Sequence, residues 1–146
     1  MEYLHSDKEL LTEDFLRNLH ASTFDYIVEG DDFRVDGAFF AKENDDLFGY
    51  ILYRELSSKK VELVYGGVAI KDRGFKTLKA YRQFLLLLSE KYSHVETLVV
   101  NTNYKMLKMY MALGFNVIGT KLQYKKNKVL VVLEKDLGIK TEETEQ

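Results

Sequence analysis

Asn103, Tyr110 and the pair Gly114-Phe115 follow an apolar stretch ending in Val99-Val100, at spacings that one short helix would bring into line. Seven residues are two helical turns, so Asn103 and Tyr110 share an edge if the helix begins near Asn103. Asn is a good N-cap, Gly114 sits where a helix stop belongs, and Phe115 returns to the core. The phenol of Tyr110 has an ordinary pKa near 10 and is therefore protonated at neutral pH, the form that can give up a proton. Equally, it can be a ring packed in the core with its hydroxyl at the edge, in a chain that has ten Tyr. A second cluster is electrostatic. Lys71, Arg73, Lys76 and Lys79 crowd the start of a helix, where the dipole disfavours cations unless an anion lies among them. The same charges can form a solvated rim. A third feature is Gly66-Gly67 inside a stretch rich in Val and Ile, where paired glycines mark a bulge or a close backbone approach.

The elements that must position these residues follow from periodicity. Residues 2–5 fit a short edge strand, and 10–28 show helical spacing with Thr12 as N-cap, broken at Gly30-Asp31-Asp32. Residues 38–42 and 47–55 read as a hairpin turned at 43–46. After a turn at 57–60, residues 61–70 read as one strand containing the two glycines. Helix 77–92 has a stripe of Leu78, Tyr81, Leu85 and Leu88. A buried strand at 95–100, a helix at 104–113 and a hairpin of 116–124 with 128–133 complete the order. The strand-helix-strand order and the right-handed crossover rule predict that 61–70 and 95–100 are adjacent and parallel.

With 146 residues, 46% hydrophobic and 13% aromatic content, the chain suits one folded domain over 1–139 and a frayed acidic tail over 140–146. A net charge of −2 gives no electrostatic basis for a nucleic-acid partner. The absence of Cys excludes disulfides and a thiol nucleophile and fits a reducing, cytoplasmic setting. No apolar run approaches a membrane span, the longest being 84–88, and the N-terminus lacks the pattern of a signal peptide. His5, His20 and His94 show no ligand spacing, so no metal site is expected.

The stretch from Val99 to Phe115 resembles the GNAT superfamily of N-acyltransferases, which carry a strand, an Asn, a Tyr seven residues on, and Gly-Phe four and five residues beyond. The element order over 39–133 is similar too. The resemblance implies an α/β fold of the mixed α+β kind: a central, mostly antiparallel sheet flanked by helices, with a splayed parallel strand pair. It implies an acetyl-CoA-dependent N-acetyltransferase acting by direct transfer on a small-molecule or protein amine. Tyr110 would then be the general acid that protonates the departing thiolate. Glu62 would be the general base, with Tyr65 and Glu55 as weaker candidates. Gly67, Val68 and Ala69 would pair with pantetheine and polarise the thioester carbonyl through their backbone. Arg73, Gly74 and Lys76 would hold the pyrophosphate, and Asn103 the cofactor arm.

The family's loop, Gln/Arg-x-x-Gly-x-Gly/Ala, is incomplete here. A register from Arg73 places Lys76 and Leu78 at the glycine positions, and one from Lys71 keeps Gly74 but places Lys76 at the second. The second reading is therefore a GNAT-fold chain without cofactor binding, a structural or interaction component with a protein assembly partner. Residues 75–121 also loosely resemble the acetyltransferase-like internal virion proteins of podoviruses, which would place the chain in a virion.

Overall fold

The computed structural model describes residues 1–7, 35–64, 67–68, 74–123 and 127–138. The expected helix at 10–28, the break at 30–32 and the tail at 140–146 lie outside these residues. Eight strands and two helices are described: β1 (Glu2–Asp7), β2 (Gly37–Glu43), β3 (Asp46–Glu55), β4 (Lys60–Leu63), β5 (Gly67–Val68), α1 (Phe75–Leu88), β6 (His94–Val100), α2 (Tyr104–Ala112), β7 (Asn116–Gln123) and β8 (Lys128–Asp136). The pairing order is β1-β2-β3 with β5 paired to β3 at one end of the sequence, and β4-β6-β8-β7 at the other. Neither helix is long and apolar enough to cross a membrane.

The chain divides into two compact units. The first comprises 1–54 and 63–80, and the second 55–62 and 81–146. In the first, β1, β2 and β3 form an antiparallel meander, with Glu2 opposite Lys42 and Gly37 opposite Tyr53. Asn44 and Asp45 make the β2–β3 turn with φ of 55° and 70°, the left-handed pair that a two-residue hairpin requires and that Asn and Asp tolerate. Gly37 is needed because a methyl there would overlap the Tyr53 ring, whose hydroxyl meets His5 Nε2 at 2.7 Å. Phe48, Tyr50, Ile51 and Leu52 are all essentially buried, as expected of a strand covered on both faces.

In the second unit β6 and β8 pair antiparallel, with Thr97 opposite Leu133, and β8 pairs in turn with β7. β4 and β6 are neighbours whose starts coincide: Ser93 and His94 both donate backbone N–H groups to Lys59 O, at 2.8 and 3.1 Å. The two strands therefore run parallel, as the crossover rule predicts. Lys60 Nζ ties them together through Glu96 and also reaches Glu134 on β8, each at 3.1 Å.

One helix and one strand depart most from the sequence expectation. Helix α1 begins at Phe75 and ends at Leu88, with Ser89 to Lys91 in turns. Tyr92 instead turns back into the core, its hydroxyl donating to Glu55 Oε2. The single strand expected over 61–70 is two short pieces, β4 and β5. β5 sets Gly67 and Val68 against Tyr50 and Gly49 of β3.

Candidate active site

Helix α2 is defined at both ends by its own residues. Asn103 is the N-cap, its Oδ1 accepting from Met106 N–H at 3.2 Å. At the other end Gly114 N–H donates to Met111 O and Phe115 N–H to Tyr110 O, both at 3.0 Å, while Gly114 takes φ +95°. This is the Schellman arrangement, which satisfies the last carbonyls and calls for glycine at the left-handed position. The Asn103–Tyr110–Gly114-Phe115 spacing thus forms one helix, capped at both ends.

Tyr110 lies on the buried side of α2 at 3% exposure. Its ring meets Phe115 edge-on at 5.0 Å between centroids and Tyr81 of α1 at 6.1 Å and 81°. Burial pushes the phenol above its ordinary value of 10.0, and hydrogen bonds with the Thr97 and Tyr81 side chains act the other way. The group is therefore neutral and proton-bearing at physiological pH.

Glu62 is half-buried on β4, alternating with the buried Val61 and Leu63. Glu55 is committed elsewhere. It accepts from the Tyr92 hydroxyl and pairs with Lys91 Nζ at 3.2 Å, and these two contacts, Tyr92 first, hold its carboxyl below the usual range. A carboxylate so engaged is a poor base. Tyr65 lies outside the described residues.

In the first unit, Gly74 immediately precedes α1 with φ +120°, and a methyl there would meet nothing within 4 Å. Its N–H donates to Thr77 Oγ1 at 3.2 Å, while Thr77 N–H returns to Gly74 O at 3.0 Å. Gly74 thus takes a backbone conformation that favours glycine. Lys76, in the first turn of α1, is exposed, and its Nζ pairs with Glu43 Oε1 at 3.3 Å. The first turn holds no acidic residue, so Glu43 supplies the anion that the helix dipole favours there. Gly67 and Val68 contribute backbone as β5, while Ala69, Lys71 and Arg73 lie outside the described residues.

Two residues around Tyr110 escape a motif-based reading: Thr97 and Tyr81. The signal for Thr97 is phase, since it occupies the inward alternation of Val95 and Val99. Tyr81 was visible only as one member of an apolar stripe.

No family profile matches the sequence, and a search of curated proteins finds no relative. The fold, however, is similar to that of solved GNAT acetyltransferases. The ribosomal-protein-S18-alanine N-acetyltransferase of Escherichia coli superposes with a TM-score of 0.70 at 12% identity, over 94% of this chain and 96% of that one. Arabidopsis thaliana Naa50, solved with the bisubstrate analogue CoA-Ac-MVNAL, gives 0.70 at 19% identity over 93% and 99%. A GNAT family acetyltransferase of Elizabethkingia anophelis with acetyl-CoA bound gives 0.65 at 14% over 86% and 83%. The fold of this chain is therefore GNAT-like.

Proposed function

We propose that this protein is an acetyl-CoA-dependent N-acetyltransferase that passes the acetyl group directly to an amine. The observation that carries the reading is Tyr110: a buried, neutral phenol on a helix capped by Asn103 and Gly114, in a GNAT-like fold. Acetyl-CoA would supply the activated acyl group as a thioester. Tyr110 gives its proton to the departing sulfur, so that a thiol rather than a thiolate leaves. Glu62 takes the proton of the acceptor amine. The backbones of Gly67, Val68 and Ala69 hold the acyl arm and its carbonyl oxygen. Asn103 spends its side-chain oxygen on the cap, so its amide nitrogen is the half assigned to the cofactor arm. The open backbone at Gly74 fits a pyrophosphate at the start of α1, with Arg73 and Lys76 as cationic partners.

One observation favours the second reading, a GNAT-fold chain that serves as a protein assembly component, as in a virion. Lys76 is paired with Glu43 rather than held apart for an anion. Calorimetric titration with acetyl-CoA separates the two. The enzyme reading expects saturable binding at or below about 1 mM, the usual upper range of substrate constants. It also expects acetylation of at least one member of a panel of peptide and small-molecule amines. Binding should weaken as salt rises, because exposed charges are screened within about 8–10 Å. Absence of heat at millimolar acetyl-CoA assigns the chain to the assembly reading.

A further inference from the structure

Strand β7 ends the order β4-β6-β8-β7, so among the described residues one of its edges has no strand beside it. Every residue from 116 to 122 is exposed, including Val117 at 47%, Ile118 at 52% and Leu122 at 47%. A free edge is a row of backbone N–H and C=O groups open to pairing, and exposed apolar side chains along it favour a second strand over water. The register with β8 shows which residues share a face. Val117, Thr120 and Leu122 pair with Leu133, Val131 and Val129, alternate residues of β8, and so point to one side. Asn116, Gly119 and Lys121 pair with Glu134, Val132 and Leu130 and take the other side. The register shifts between Val117 and Gly119, which leaves Ile118 as the extra residue of a bulge.

Counted in these bulged positions, β7 is complementary to itself. An antiparallel copy centred on Thr120 sets Val117 against Leu122, Gly119 against Lys121 and Thr120 against Thr120, every pair on a common face. Without the bulge, Val117 would fall on the opposite face from Leu122. Lys121 is the single charged residue of the strand. Such a charge ordinarily guards an edge, but in this register it lies over Gly119, where a methyl would meet nothing within 4 Å. We propose that β7 is a dimer edge: two copies of this chain pair through β7 about a two-fold axis at Thr120, which joins β4-β6-β8-β7 of each into one continuous sheet. Each copy spends its free β7 edge on the other, so the contact closes at two. One strand per copy is a smaller surface than the ~800 Å² per partner of a standard complex, so association is reversible, with a dissociation constant on the order of 1–100 μM. The dimer stands apart from the catalytic reading and forms equally in an assembly component.

Sedimentation equilibrium of the full chain should show a reversible monomer–dimer equilibrium in that range. Leu122→Glu changes an exposed side chain and should leave the circular dichroism spectrum as in wild type. It should raise the dissociation constant at least about tenfold, because each dimer then carries a charge against Val117 twice. Cysteine crosslinking reads the register, with no native Cys to compete. Across the axis the two Thr120 Cα atoms would lie about 4.5–5.5 Å apart, inside the roughly 4.4–6.8 Å that a disulfide spans. The two Leu122 would lie four strand positions apart, about 13 Å. Thr120→Cys should therefore give a covalent dimer with oxidised glutathione, and Leu122→Cys should not. A chain that stays monomeric at about 1 mM overturns the proposal. A dimer that Leu122→Glu leaves intact, or that crosslinks through Leu122→Cys and not through Thr120→Cys, uses another surface or register and overturns it as well. If Leu122→Glu fails to fold, the two crosslinking variants decide by themselves.

Discussion

Tyr110 is bounded by Thr97, Tyr81 and Phe115, none of which carries a charge at neutral pH. Desolvation therefore dominates its protonation, and the phenol remains a proton donor across the physiological range. Tyr110→Phe keeps the ring and its edge contacts, so acetyl-CoA affinity should be unchanged while turnover falls about 10²–10⁴-fold, as for loss of a general acid. Paired calorimetry and steady-state kinetics check this, and unchanged turnover would leave Tyr110 as a packing residue. Gly114 is the second decisive residue. Its φ of +95° is strained for any side chain, and a methyl there would crowd Lys135 Nζ at 2.6 Å. Gly114→Ala should cost about 1–2 kcal/mol, measured by urea unfolding; a loss within error would show that the turn relaxes.

At the scale of the element, α2 is a nine-residue helix, too short to be stable in isolation, so its caps and its buried face must supply what length does not. Asn103→Ala removes the acceptor for Met106 N–H and should destabilise the protein by about 0.5–2 kcal/mol. Asn103→Asp keeps the acceptor and adds a charge that the helix N-terminus favours, so its unfolding midpoint should match or exceed wild type. Because Asp lacks the amide nitrogen assigned to the cofactor arm, the same variant should weaken acetyl-CoA binding. Stability kept together with affinity lost separates the ligand role from the cap. Equal affinity would confine Asn103 to capping.

Across the whole molecule, ionisation links stability to pH at both extremes. Glu55 lies below its ordinary value of 4.5 through Tyr92 and Lys91. A lowered folded value means that its stabilisation is present above about pH 4.5 and is lost as pH falls toward the folded pKa. The Glu55 side chain is 40% exposed, so solvent screens its contacts and its share is small. Lys60 lies above 10.5 through Glu96 and Glu134, and Tyr110 lies above 10.0 through burial. Raised folded values mean that these contributions are full below about pH 10 and are lost as pH rises through the folded values. Urea midpoints should therefore decline above about pH 10, and Tyr110→Phe should flatten part of that decline. An identical alkaline slope in the Phe variant would mean that the phenol titrates alike in folded and unfolded chains.

Local patterns carried most of the architecture. Apolar runs bounded by turn residues marked β2, β3, β6, β7 and β8 to within a few residues. The Asn103-to-Phe115 spacing marked α2 with both caps, because caps and glycine stops depend on neighbours close in sequence. The order strand, helix, strand also fixed β4 and β6 as parallel neighbours, since the handedness of crossovers is general. The end of α1 was not legible. Residues 89–92 keep helical character in sequence, but Tyr92 gains more from burial and its bond to Glu55 than from another helical turn. Nor could the sequence pair Lys76 with Glu43, 33 residues away, or set Thr97 against Tyr110. Such contacts depend on which strand lies beside which helix, so only the tertiary structure decides that the phenol is buried and neutral.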